Sequence, residues 1–280
     1  MGKFARSWEL VKASAAVLRS DKELLVFPLL SAIATTVVAL TFIVPLLASG
    51  TFHQFHRGEP LPGPMYIWMF LFYVAQYTVI FFCNTALVGA AMIRLDGGNP
   101  TLADGFAIAR SKIVPILGYA LIAATVGIIL RSLEQRAGFL GRIVIGLIGA
   151  AWTVATAMVV PVLVTQDVGP IDAIKQSVEL LRRNWGENLI GNAGIGVVFG
   201  AITAVVMVVG FGLAIVGARN MPAVAIGIGG LTIMAILGIS LVQAALAGIY
   251  SAALYRFAST GETPPGFDGG ALQEAFRIKA

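Results

Sequence analysis

Six long runs of apolar residues are the feature that most limits what this chain can fold into. A helix needs about 20 apolar residues to cross roughly 30 Å of bilayer hydrocarbon, because each residue adds about 1.5 Å. With 58% hydrophobic and only 12% charged residues, the chain lacks the polar side chains that a soluble surface needs. We therefore predict an all-α polytopic membrane protein with six transmembrane helices in three hairpins. The runs cover residues 24–49, 65–93, 113–130, 143–165, 189–216 and 223–255.

The runs and the segments between them predict one transmembrane domain over residues 1–258 and a cytoplasmic tail over residues 259–280. The first run is too long for the core of a cleaved signal peptide, so we expect it to remain as a span. The last two runs exceed the length that the bilayer needs, and a tilt, a kink at a glycine or a cytoplasmic extension must accommodate the excess. Cys83 is the one cysteine and is interpreted as a small buried hydrophobic residue.

Basic residues are distributed unevenly between the two sides of the predicted bundle. Of the 19 Lys and Arg residues, fourteen fall on the side that holds both termini and five fall on the other side. Because cytoplasmic loops carry the excess of Lys and Arg, we expect both termini in the cytoplasm. The formal net charge of +5 thus indicates topology and attraction to anionic lipid head groups, since no basic stretch has the pattern of a nucleic-acid site.

An amphipathic helix precedes the first span. Phe4 and Trp8 begin an apolar stripe with charged residues beside it, which is typical of a helix that lies in the membrane interface, and we take both as interfacial anchors. Ser20 and Glu23 then have the spacing of a capping box immediately before the first apolar run. We therefore expect the second helix to begin at Asp21.

A short internal repeat places a similar helix later in the chain. Residues 6–12 (RSWELVK) align without a gap with residues 176–182 (QSVELLR), and Ser, Glu and Leu are identical in both. The second copy also has an apolar face opposite charged residues, on which Val178 and Leu181 are the expected interfacial anchors.

A weaker third copy begins where Thr101 and Asp104 have the spacing to cap a short helix. Each copy precedes a pair of spans that is joined on the outside. We therefore predict three units of the same orientation, each an interfacial helix followed by a hairpin. The interfacial helices are expected over residues 3–19, 101–111 and 170–183.

The two ends of the chain carry a family resemblance. They read FARSWELVKASAAVLRSDKELLVFPLLSAI and ALYRFASTGETPPGFDGGALQEAFRIKA, and together they resemble an uncharacterised family of prokaryotic six-span membrane proteins, a domain of unknown function. The stretch PVLVTQDVGPIDAIKQSVELLRRNWGENL is more distantly similar to the membrane domain beside some glycerophosphodiester phosphodiesterases, whose catalysis lies in a separate soluble domain. The resemblance implies a six-span fold in the inner membrane of a prokaryote, with no activity and no site residues.

Few residues in the apolar runs have side chains that carry chemistry. None of the six runs contains Asp, Glu, Lys, Arg or His away from its ends, whereas coupled transporters keep ionisable residues at membrane depth. His53 and His56, with Glu59 nearby, have metal-ligand spacing, but their Gly- and Pro-containing surroundings favour a solvated outside loop. The chain also lacks the HExxH, GxSxG and Walker patterns. We therefore predict no catalytic residue, no metal and no cofactor, and a protein that is not an enzyme.

Three neutral amides, Asn84, Asn192 and Gln243, stand out within the runs. Asn84 and Gln243 are expected in the cytoplasmic half of their spans, and Asn192 near its cytoplasmic mouth. Because an unpaired amide in hydrocarbon is costly, these side chains either bond one another between helices or line a ligand cavity. We take all three as candidate cavity residues.

These patterns leave three kinds of function open. The first is a non-enzymatic membrane protein that binds or organises lipid, which the amphipathic helices favour. The second is an uncoupled channel or a substrate-binding transport component that uses the amides, and the third is a membrane subunit that docks a partner protein. We expect membrane lipids with anionic head groups as partners and no nucleic acid, while a protein partner or a homo-oligomer stays open.

The predicted topology is testable by thiol labelling. Gly58→Cys should react with a membrane-impermeant reagent in sealed cells and Gly270→Cys should not, because the charge bias places residue 58 outside and residue 270 inside. The measurement is the labelled fraction before and after permeabilisation. Labelling of the Gly270→Cys protein in sealed cells would contradict the topology.

Overall fold

A computed structural model describes residues 3–48, 63–183, 188–218, 221–264 and 267, and the side chains of all of these except residues 3–10, 183 and 188–194. Within these ranges the chain forms ten α-helices and no β-strand, which confirms the all-α fold. The helices are α1 (Lys3–Ser20), α2 (Val26–Ala48), α3 (Gly63–Leu95), α4 (Leu102–Ser111), α5 (Ile113–Arg136), α6 (Phe139–Ala155), α7 (Val159–Thr165), α8 (Pro170–Arg183), α9 (Asn188–Gly217) and α10 (Pro222–Thr260).

Six helical stretches are long and apolar enough to cross a membrane, which confirms a multi-pass membrane protein with six spans. Each overlaps one of the predicted apolar runs, but the fourth is divided into α6 and α7. Helices α1, α4 and α8 occupy the segments predicted as interfacial helices. The spanning stretches are Lys22–Ala48, Gly63–Leu95, Ile113–Arg136, Phe139–Thr165, Ile195–Gly217 and Pro222–Thr260.

Exposed apolar side chains form a belt around the spans. The large exposed ones cover residues 29–47 on α2 and residues 197–216 on α9, and each stretch is about 20 residues or about 30 Å, the thickness of bilayer hydrocarbon. On α3 the belt ends at Ile80, and on α10 it ends at Leu237. Both helices continue beyond these residues without a further large exposed apolar side chain, so the belt covers only part of their length.

The core lies in these extensions, at the end of the bundle that we call the proximal end because α1, α4 and α8 lie there. Residues 85–91 of α3 are all buried, and most of residues 245–255 of α10 are buried with them. Tyr250, Phe27 and Leu24 are among the largest side chains with less than 2% exposure. By contrast, no residue of α6 is buried. The tightly packed part of the protein is therefore proximal.

Each short helix packs on a hairpin other than the one that follows it, where the hairpins are α2–α3, α5–α7 and α9–α10. Helix α4 packs on α3 and buries Gly105 and Ala109. Helix α8 packs on α5, α6 and α7 and buries Ala173 and Leu181. Helix α1 packs on α9 and α10, at the far end of the sequence. The short helices thus link the three hairpins in a closed ring.

Polar contacts also join the hairpins at the proximal end. The hydroxyl of Thr165, at the end of α7, donates to the hydroxyl of Tyr255 on α10 at 2.7 Å. Lys112 Nζ, just before α5, donates to the carbonyl of Gln166 at 2.9 Å. Arg256 of α10 forms an ion pair with Asp96, which follows α3. Helix α10 is thereby connected to both other hairpins.

The turn before α2 differs from the prediction. Ser20 remains in α1, and its hydroxyl donates to a carbonyl of that helix at 2.7 Å. Asp21 caps the turn instead, because its Oδ1 accepts from the amide of Glu23 at 3.2 Å. The predicted Ser20–Glu23 capping box is therefore wrong. A 3-10 turn over Lys22–Leu25 follows, and α2 begins at Val26 rather than at Asp21. The similar cap predicted over residues 184–187 lies outside the described residues.

The predicted cap of α4 is confirmed. The carboxylate of Asp104 accepts from the amide of Thr101 at 2.9 Å, and Thr101 Oγ1 accepts from the amide of Asp104 at 3.2 Å. The hydrogen bonds from the Thr101 amide and hydroxyl lower the pKa of Asp104 below its ordinary value. This box determines where α4 begins, and so which of its residues meet α3.

Gly105→Ala should destabilise the proximal core. A Cβ at this position would lie 2.5 Å from the Phe27 ring and 2.8 Å from the carbonyl oxygen of Ala86. Because that oxygen belongs to the backbone of α3, α4 must shift, at an expected cost of about 1–3 kcal/mol. The measurement is the free energy of unfolding in a denaturing-detergent titration. Gly229→Ala, which adds a Cβ in open space, is the control, and an equal effect of the two substitutions would contradict this packing.

Candidate ligand cavity

A cavity of about 330 Å³ lies where α2, α3 and α10 meet the junction between α6 and α7. Small-molecule sites typically have about 300–1,000 Å³, so the volume suits a small ligand or part of a larger one. The cavity lies at the proximal edge of the apolar belt, because Ile80 is the last belt residue on α3 and the α10 residues that line it lie past Leu237. It is lined by Pro28, Ser31, Ile80, Cys83, Asn84, Leu87, Ala157, Ala244, Ala247, Gly248 and Ser251.

Two polar side chains at the cavity have no hydrogen-bond partner among the described residues. They are the carboxamide of Asn84 on α3 and the hydroxyl of Ser251 on α10. Ser31 differs, because its hydroxyl interacts with the thiol of Cys83. An amide or hydroxyl removed from water without a partner is unfavourable. Asn84 and Ser251 are therefore the side chains that are available to bind a polar group.

Gly248 determines how closely α10 approaches α3 beside the cavity. A Cβ at this position would lie 2.4 Å from Leu87 Cδ2 and 3.7 Å from Asn84 Oδ1. The missing side chain therefore lets the α10 backbone lie against Leu87, and it leaves the carboxamide of Asn84 at the cavity wall.

Ala157, which lines the cavity, lies at a break in the fourth span. Pro161 has no N–H, and in a regular helix its ring would clash with the carbonyl four residues earlier, which is that of Ala157. The amides of Ala157 and Val159 each bond a carbonyl three residues back instead of four. The tighter turn at residues 156–158 separates α6 from α7.

This break leaves several backbone groups without the partners that a helix would supply, among them the N–H of Met158 and the carbonyls of Ala155 and Ala157. Ser177 of α8 bonds two of them, since its Oγ accepts from the Met158 N–H at 3.1 Å and donates to the Ala155 carbonyl at 2.7 Å. Ser177 itself is fully buried. Among the described residues the carbonyl of Ala157 has no donor.

The three amides predicted to line a cavity lie in different places. Asn84 lines the cavity. Gln243 is half-buried on α10 and is not among the lining residues. Asn192 belongs to α9, but its side chain lies outside the described residues.

The predicted interfacial anchors also differ from one another. The side chains of Phe4 and Trp8 lie outside the described residues. Leu181 is 6% exposed and belongs to the hydrophobic core, and Val178 is half-buried. Ile171, at the start of α8, is 59% exposed. Helix α8 therefore uses one side to pack on the protein and keeps an apolar residue on its outer surface.

Among the lining residues that the sequence interpretation missed are Ser31, Ser251 and Ala157. Pro161 was the available signal for the last of these, because a proline inside an apolar run frees the carbonyl four residues before it. The residues considered for metal binding, His53, His56 and Glu59, lie outside the described residues. The described residues contain no group of three or more His, Cys, Asp or Glu that is placed to hold a metal ion.

Comparison with known proteins gives one match. The model of a family described as "Family of unknown function (DUF6159)" matches residues 64–267. This range contains most of the spans and, among the residues that line the cavity, Asn84, Ala157 and Ser251. No curated protein and no solved structure matches the chain. The more distant resemblance to the membrane domain beside glycerophosphodiester phosphodiesterases stays a prediction.

Ser177→Ala should destabilise the protein, because it leaves the N–H of Met158 and the carbonyl of Ala155 buried without a partner. The expected loss is about 1–3 kcal/mol in the free energy of unfolding, measured by denaturing-detergent titration. Ser259→Ala is the matched control, since that exposed hydroxyl bonds a carbonyl of its own helix at 3.1 Å and its removal should cost less than about 0.5 kcal/mol. Equal losses would show that Ser177 does not support the break.

Proposed function

We propose that this chain, which belongs to the family of unknown function DUF6159, is a non-enzymatic integral membrane protein that binds a lipid-like amphiphile in the cavity at its proximal end. One observation carries the proposal: the unpartnered Asn84 carboxamide lies in a mostly apolar cavity at the edge of the apolar belt. An amphiphile fits this position, because the boundary between its polar group and its apolar chain lies at the same depth as the edge of the apolar belt.

The lining of the cavity favours an uncharged polar group on the ligand. None of the lining residues is charged, and a charged head group taken from water without a counter-charge is strongly disfavoured. The carboxamide of Asn84 and the hydroxyl of Ser251 both donate and accept hydrogen bonds. They therefore suit a hydroxyl, an ester or an amide, while the apolar lining suits the adjoining part of the chain.

Access from the lipid supports an amphiphile over a water-soluble solute. Ile80, Ala157 and Ala244 line the cavity and are exposed. Because Ile80 belongs to the apolar belt, a lipid-like molecule has a lateral route into the cavity. A molecule that already lies in the bilayer needs no aqueous path.

The charge bias of the sequence supports a cytoplasmic location for the proximal end, in the inner membrane of a prokaryote, with both termini inside. Exposed basic side chains at that end, such as Lys22, Lys175 and Arg182, suit contact with anionic head groups. The ring of short helices and hairpins supports the interpretation of the chain as three repeated units. In this proposal the short helices hold the hairpins around the cavity at the membrane surface.

The two other functions that the sequence left open have different experimental signatures. An uncoupled channel or transport component would give solute flux in proteoliposomes. A membrane subunit for another protein would co-purify with that protein in a fixed ratio. An amphiphile-binding protein should give a stoichiometric bound lipid with neither of these results.

Asn84→Leu should lower the amount of co-purified lipid about five- to tenfold, the change expected from losing one or two hydrogen bonds in a dry site. The measurement is mass spectrometry of the lipid bound per mole of purified protein. The fold should survive, because the free Asn84 carboxamide bonds no other described residue.

Gln243→Leu is the control, because it also replaces a carboxamide by leucine, at a residue that does not line the cavity. The double substitution separates binding from helix pairing. If the two amides bond one another, the losses in unfolding free energy will be strongly non-additive. Unchanged lipid content in the Asn84→Leu protein would contradict the proposed function.

A further inference from the structure

We infer that the main-chain carbonyl of Ala157 is a built hydrogen-bond acceptor of the cavity, and that the ligand is an amphiphile whose uncharged polar group donates a hydrogen bond to it. The class of ligand is an alcohol or a primary or secondary amide with an apolar chain. This inference rests on the proposed function and adds the direction of one hydrogen bond.

The first step concerns which backbone groups at the break between α6 and α7 have a hydrogen-bond partner. Pro161 removes the donor that would bond the Ala157 carbonyl in a continuous helix. The same break frees the N–H of Met158 and the carbonyl of Ala155, and Ser177 bonds both. One hydroxyl thus bonds two of the released groups. The acceptor at Ala157, the residue that lines the cavity, is the one that stays free of a donor among the described residues.

The second step is the environment of that carbonyl. A carbonyl at the edge of hydrocarbon has few water molecules available, and an acceptor without a donor is unfavourable there. The other residues that line the cavity are mostly apolar, including Pro28, Leu87 and Ala247. A bound group that donates a hydrogen bond removes the cost of leaving this acceptor unpaired.

The third step is selectivity. Asn84 and Ser251 both donate and accept, so alone they do not distinguish an alcohol from an ether or an ester. The carbonyl of Ala157 only accepts. A site with a fixed acceptor rejects an analogue that lacks the donor, because the acceptor is then buried without a partner. The hydroxyl of an alcohol suits both groups, since it can donate to the Ala157 carbonyl and accept from the Asn84 amide.

The matched pair oleyl alcohol and oleyl methyl ether tests this inference, because the two differ in a single donor. Cys83 is the one cysteine of the chain and lines the cavity, so its alkylation rate in the purified full-length protein reports occupancy. Oleyl alcohol should slow alkylation at a concentration roughly five- to tenfold lower than the ether requires. The rise in Tm at increasing concentrations of each compound gives a second measure that does not depend on the thiol.

Two proline variants locate the acceptor. Pro161→Ala supplies an N–H that can bond the Ala157 carbonyl within the helix, so the preference for the alcohol should disappear. Pro45→Ala is the control: it makes the same change inside α2, at a residue that does not line the cavity, and should keep the preference. Neither substitution removes a side-chain polar group.

The outcomes separate this inference from the proposed function. If the alcohol and the ether bind equally to the unaltered protein, the cavity takes an amphiphile and the inferred acceptor is wrong. If the Pro161→Ala protein still prefers the alcohol, the selective acceptor is another group and the inference is again overturned. If neither compound slows alkylation or raises Tm, both the proposed function and the inference fail.

Discussion

Backbone hydrogen bonding where water is scarce is the constraint on which the proximal end of this protein depends. Pro161 interrupts the fourth span, and the break releases several backbone groups to which the hydrocarbon of a membrane offers no partner. Ser177 of α8 bonds two of these groups, the N–H of Met158 and the carbonyl of Ala155. Helix α8, which is not one of the spans, is thereby bonded to the fourth span at the residues next to the cavity wall.

The spans were predictable because hydrocarbon thickness requires a minimum length of apolar helix, and the six runs met it. The way in which α3 and α10 use their excess length was not predictable. An apolar run has the same kind of residues whether they face lipid or a protein core. Ile80 and Leu237 mark the change from one to the other, and only the exposure of side chains along each helix reveals them.

The cavity was only partly visible in the sequence. Asn84 stood out because an amide is rare inside an apolar run. Ser251 did not, since a serine or threonine in a helix usually bonds its own backbone, as Thr35 and Thr36 do here. Whether Gln243 lines the cavity depends on the rotation of α10 about its axis, which no pattern of apolar residues determines that finely. The carbonyl of Ala157 belongs to the backbone, so the residue type at this position does not reveal it. Pro161 predicted a bend but did not indicate which groups would lie next to that bend.

The ring of short helices has a consequence for biogenesis. Helix α1 precedes every span in the chain, yet its buried face, which includes Val11, Ser14 and Leu18, packs on α9 and α10, which follow the other spans. The ribosome therefore releases one side of this contact long before the other. Until α9 and α10 have been synthesised, α1 lacks these two packing partners. The part of the proximal core that α1 forms can therefore be completed only after α9 and α10 have been synthesised.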